Sequence, residues 1–116
     1  MRTREIHDDG LEILSIEGEI DLSCSPELRA ILHKYAKAKC PALVLDFKGV
    51  SYVDSSALAT LIEYVRDAQE FGGKLAIVEM NTRVRTIFDI VRLGEFLPIH
   101  ANVTDAKAAL LVPPSA

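Results

Sequence analysis

Tryptophan is absent from these 116 residues, and tyrosine and phenylalanine contribute only three and four side chains. With so few rings and a net charge of −4, the chain offers nucleic acid little stacking surface and little electrostatic pull. Arg83, Arg85 and Arg92 form its one basic cluster, which on an acidic domain reads as a solvated helix face. Cysteine is scarce as well. Cys24 and Cys40 stand in neither a CxxC nor a metal-ligand spacing, so they are expected as free, small apolar residues in a reducing compartment. Apolar runs such as ALVL and LAIV fall far below the ~18 residues of a membrane span. The opening MRTREIHDDG does not look like a signal peptide. These absences predict a cytoplasmic chain with no membrane insertion and no nucleic-acid partner.

What is present is the pattern of one soluble α/β domain, with 49% hydrophobic and 26% charged residues. A domain over 1–111 with a loose tail at 112–116 is expected. Asp8–Gly10 separates two extended segments, the mark of a hairpin. Arg2 and Arg4 suit the first strand to a sheet edge, and LEILSI, apolar on both phases, belongs further inside. Ser25 before Pro26 reads as an N-cap, opening a helix with Leu28, Ile31, Leu32 and Tyr35 on one face. Lys37 and Lys39 suit its last turn and Pro41 its stop. Ala42–Phe47 is a strand covered on both faces, followed by a short connection to Asp54.

After Asp54 a helical stripe runs through Leu58, Leu61, Ile62, Val65 and Ala68 and stops near Gly72. Lys74–Val78 is the next buried strand. Asn81 or Thr82 caps a third helix with Val84, Ile87, Phe88 and Val91 inward and Gly94 at its end. Pro98 makes Phe96–His100 an edge strand, and a last helix spans about Thr104–Leu111. Helices separate the later strands, so the sheet should be parallel after the hairpin.

Motifs for chemistry are missing. His7, His33 and His100 are scattered with no ligand spacing, which argues against a metal. Neither of the usual glycine-rich phosphate cradles occurs, and no histidine base accompanies a serine, so neither an enzyme nor a cofactor is expected. Asp46 could belong to a phospho-accepting receiver, but Asp8 and Asp9 sit in the hairpin turn and no lysine directly follows FLPIH. What stands out is DSSALATL, an acid and two serines where a strand gives way to a helix. Asp54 can cap the orphan N–H groups there. The same helix start can take a phosphoserine, whose charge would disturb a docked surface more than the fold.

DSSALATL at Asp54–Leu61 resembles the DSSGLGxL signature of STAS domains, the anti-sigma factor antagonists. GEID at Gly18–Asp21 is similar to their GELD element, and GGKLAIVEMNTRVRTIFDIVRLGEF to their closing strand–helix–glycine pattern. The resemblance implies a mixed sheet packed with helices and a partner-switching role. An anti-sigma factor that is also a serine kinase would bind the unmodified chain, phosphorylate Ser55 and let go, and a serine phosphatase would reset it. The kinase would bring ATP and magnesium.

Extending the helical stripe backwards turns Ser56 outward more than Ser55, so Ser56 is the second choice. Ala57 and Ala59 stand where the signature has glycine. Asp21, Asp54, Ser56, Ala57, Ala59 and Glu63 are the candidate partner-binding residues, with Arg66 beside them on the outer face of the helix. The alternative implied by the two alanines is an unphosphorylated STAS scaffold subunit of a transporter or stress-signalling complex. In either case a monomer or weak dimer is expected.

Overall fold

The structure is a computed structural model, and it describes residues 1–8 and 10–110. Asp9 of the hairpin turn, Leu111 at the expected end of the last helix, and the tail at 112–116 lie outside the described residues. The chain runs β1 (Arg2–Asp8), β2 (Leu11–Ile20), α1 (Ser25–Lys37), β3 (Ala42–Val53), α2 (Ser55–Gln69), β4 (Lys74–Val78) and α3 (Thr82–Ile90). A 3₁₀ turn (Leu93–Glu95), β5 (Ile99–His100) and α4 (Val103–Leu110) follow. The strands lie in the order β1-β2-β3-β4-β5, with β1 antiparallel to β2 and every later pair parallel. Arginine-bearing β1 and proline-preceded β5 are the edges, as their sequences predict.

Strand alternation divides the core in two. Leu43, Leu45 and Phe47 of β3 and Leu75 and Ile77 of β4 face α1, α2 and α3. The opposite phase, with Ala42 and Val44 of β3 and Ala76 and Val78 of β4, faces Ala106 and Leu110 of α4. Small residues predominate on that second face, which suits a single short helix as its cover.

β3 does not end at Phe47 with a short connection. It continues to Val53, because β2 runs on beside it as far as Ile20. Only Ala42–Asp46 pairs with β4, so beyond that point β2 and β3 form a two-stranded arm. Gly49 permits the close approach: a Cβ there would meet Glu17 Cγ at 2.6 Å and Glu17 Cα at 3.3 Å. On the arm's helix-covered face, Phe88 of α3 meets Phe47 edge-on at a centroid distance of 6.3 Å. Asn81 caps α3 by accepting from the Val84 amide at 2.8 Å, and its own amide donates to the Val50 carbonyl at 2.8 Å.

Several expected boundaries shift. α1 begins at Ser25 with Cys24 in the cap position, so Ser25 lies inside the helix and its hydroxyl points elsewhere. Lys39 lies beyond the helix end with φ 54° instead of within the last turn. α3 stops at Ile90 and Arg92 turns left-handed, which leaves Val91 50% exposed instead of inward and puts Gly94 in the 3₁₀ turn. β5 is only two residues long, starting immediately after Pro98.

Candidate functional site

The register of the arm builds the site. Ile20 pairs with Val53, so the next residues, Asp21 and Asp54, emerge side by side where β2 and β3 hand over to α1 and α2. The Asp54 amide donates to the Ile20 carbonyl at 3.1 Å, closing the arm's end. Asp54 has extended backbone and caps α2, as its place before the apolar stripe predicts. Its Oδ1 accepts from the Ser56 amide (2.9 Å), the Ser56 hydroxyl (2.5 Å) and the Ala57 amide (3.2 Å). Its Oδ2 accepts from the Leu22 amide at 3.1 Å, which ties the β2–α1 loop to the start of α2. The Ser56 hydroxyl above all, with the desolvation cost outweighed by these amides, holds the Asp54 carboxyl below the usual aspartate range.

The loop from Asp21 is fixed in the same manner. Asp21 Oδ1 accepts from the Ser23 hydroxyl (2.5 Å) and the Ser23 amide (2.9 Å), which holds its carboxyl low. The Asp21 carbonyl accepts from the Cys24 and Ser25 amides. Both cysteines are free, and burial pushes the Cys40 thiol up.

The two serines play opposite parts. Ser55 is exposed, and no hydrogen bond engages its hydroxyl among the described residues. Ser56 is half-buried and tied on both sides: its hydroxyl donates to Asp54 and lies 2.6 Å from the Ser25 hydroxyl. This reverses the orientation that the backward-extended stripe predicts. Ser25, 5% exposed, also reaches the Asp21 carbonyl at 2.8 Å, so the residue expected as a cap is a bolt between two loops.

Ala57 is fully buried and presents nothing outward, whereas Ala59 is exposed. Arg66 is exposed, and Glu63 is half-buried at the α1–α2 seam. Both Glu63 oxygens lie 3.0 Å from Arg29 Nε, and Oε1 lies 2.9 Å from His33 Nε2. Arg29 first, then His33, holds the Glu63 carboxyl below its ordinary value. The fold also brings His33 to Asp67, so that ligand atoms of His33, Glu63 and Asp67 fall within 4.8 Å of one another. A cation there would have to displace Arg29 from both Glu63 oxygens, so the cluster works as an ion-paired clasp between helices. Sequence spacing missed it because His33 and Glu63 belong to different helices. Arg29 and His33, at i and i+4 on α1, and Glu63 and Asp67, at i and i+4 on α2, were its visible signals.

The STAS domain model matches residues 3–106. The chain belongs to the STAS domain family. An anti-sigma F factor antagonist from Paenibacillus polymyxa is 27% identical over 107 residues, covering 91% of this chain and 92% of that protein. An anti-sigma factor antagonist from Mycobacterium paratuberculosis has a crystal structure similar to this STAS domain at TM-score 0.86 and 25% identity, covering 94% and 92% of the two chains. The Bacillus cell fate determinant SpoIIAA, solved in its phosphorylated form, shares the fold at TM-score 0.71 and 16% identity, covering 93% of this chain and 98% of that one. This STAS domain therefore has anti-sigma factor antagonists among its relatives. None of its described helices is long and apolar enough to cross a membrane.

Proposed function

We propose that this STAS domain is an anti-sigma factor antagonist that works by partner switching, with Ser55 as the phosphorylated residue. The observation that carries the reading is the contrast at the start of α2. Ser55 is exposed and its Oγ makes no hydrogen bond among the described residues, while Ser56 Oγ is occupied by Asp54 and Ser25. In the transfer, Ser55 Oγ attacks the γ-phosphorus of ATP held with magnesium by an anti-sigma factor serine kinase. The new O–P bond forms as the bond to ADP breaks, and the hydroxyl proton passes to a base of the kinase.

Modification of Ser55 removes no internal contact, so the fold has nothing to lose. The added charge, nearly −2, sits at a helix start that favours anions, though the neighbouring Asp54 carboxylate opposes it. A surface docked over Ser55 has to desolvate or expel that charge, so the kinase leaves, and a serine phosphatase restores binding by hydrolysing the ester. Asp21, Ala59 and Glu63 border the docked surface, while Asp54 and Ser56 shape it from beneath. Ala57, being buried, supports the helix and touches no partner.

The test is to recover the partner from the chain's own cells on Ser55→Ala, then incubate the unmodified chain with it and magnesium–ATP. Mass spectrometry should place phosphate on Ser55, and Ser55→Asp should abolish the complex. Absence of phosphate from both serines, with binding indifferent to Ser55→Asp, would contradict the reading. Recovery of a transporter in place of an ATP-binding kinase would support the scaffold alternative.

A further inference from the structure

Leu22 is an exposed large apolar residue whose amide is bonded to Asp54, the residue before Ser55. It is 73% exposed, flanked in its loop by the polar Asp21 and Ser23. A leucine on a mobile loop would mean little. This one is held: its amide is bonded to Asp54 Oδ2, and the loop around it is closed by the Ser23 and Ser25 bonds to Asp21. Leu22, Pro26, Ala30 and Ala59 line one open depression between α1 and α2, together with the hydroxyl residues Ser25, Ser56 and Thr60. The guanidinium at the rim of that depression already has its counter-ion, because Arg29 is paired with Glu63, which also bonds His33. A partner covering it buries apolar surface without stranding an unpaired ion.

Resting on the partner-switching reading, we propose that Leu22 is the apolar anchor by which this face grips its serine kinase, inserting into an apolar pocket beside the kinase's ATP cleft. The occupant follows from the chemistry. An enzyme that transfers phosphate to Ser55 Oγ must bring its cleft onto that atom, and Leu22 is tethered to the carboxylate of the residue immediately before it. The anchor is presented ready-made, so docking sacrifices little loop freedom. The Ala59 methyl supplies part of the opposite wall, which gives the alanine at this position of the signature a role in contact.

The test uses the full chain and the kinase recovered on Ser55→Ala, with Leu22→Ala, Leu22→Asp and the control Ile90→Ala. Ile90 is 76% exposed at the far end of α3, so its truncation reports generic stickiness. Thermal unfolding should be the same for all four proteins. In calorimetric titration, Leu22→Ala should weaken kinase binding about tenfold or more and Leu22→Asp further still, as truncation of an interface anchor does, and Ile90→Ala should have no effect. In steady-state phosphorylation, Leu22→Ala should raise KM for the chain and leave kcat unchanged. If the unmodified chain binds and both Leu22 variants bind equally well, the anchor is refuted and the switch survives. The anchor is refuted too if the variants slow only dephosphorylation, which would assign Leu22 to the phosphatase. If the unmodified chain does not bind the kinase at all, anchor and switch fall together.

Discussion

Asp54 accepts on both carboxylate oxygens, capping α2 with one and holding the Leu22 amide with the other. Asp54→Ala should therefore cost about 1–2 kcal/mol in urea unfolding, the loss of a strong N-cap. The folded carboxyl titrates below the unfolded one. Its stabilisation is thus complete above the ordinary aspartate range, about pH 4, and is lost as pH falls through the lower folded value. The gap between the parent and Asp54→Ala should be full at pH 7 and narrow towards pH 3. A gap independent of pH would mean that the charged form carries no advantage.

The cap was legible in the sequence, as an acid ahead of an apolar stripe. The roles of Ser55 and Ser56 were not, because the stripe describes the helix interior and the first turn obeys the cap. Both the amide and the hydroxyl of Ser56 are drawn onto Asp54, which turns that side chain towards Ser25. Ser25 departs from its sequence pattern for a related reason: a serine before proline is a good cap, and only the neighbouring loop reveals a better use for its hydroxyl.

Among the elements, α3 was legible at its start and not at its end. Asn81 is a recognisable cap, but its second bond, to the Val50 carbonyl, depends on the β2–β3 arm running past β4. Asn81→Ala loses both bonds and should destabilise the fold by about 1–3 kcal/mol, with hydrogen exchange quickening first in α3. Retention of native exchange rates in α3 would contradict that coupling. The arm was hidden because KGVSYV breaks strand alternation, and its glycine tolerates a contact that only the partner strand explains. A comparable constraint sits between α2 and β4. A Cβ on Gly73 would stand 2.9 Å from the Cys40 carbonyl oxygen and would also strike the Phe71 ring. Gly73→Ala should lower the urea midpoint, by about 1–3 kcal/mol in stability, since a backbone carbonyl yields less readily than a side chain. An unchanged midpoint would show that this junction relaxes freely.

For the whole molecule, element order, edges and parallel pairing followed from alternation and punctuation in the sequence, because each strand–helix unit is short and closed by its own turn signals. The meeting of Asp21, Ser25, Asp54 and Ser56 did not follow so directly. They lie in two segments of the chain, and the pairing of Ile20 with Val53 brings them together. The site thus belongs to the sheet's register as much as to the DSSALATL motif. If Ser55 is the switch, the architecture is indifferent to charge on its hydroxyl and the docked surface is not. The direct test is to install phosphoserine at position 55 during translation, then measure unfolding and kinase affinity on the same preparation. Stability should stay within about 0.5 kcal/mol of the unmodified chain, and affinity should fall by about a hundredfold or more. Undiminished affinity, or a domain that unfolds when the phosphate is present, would contradict the switch.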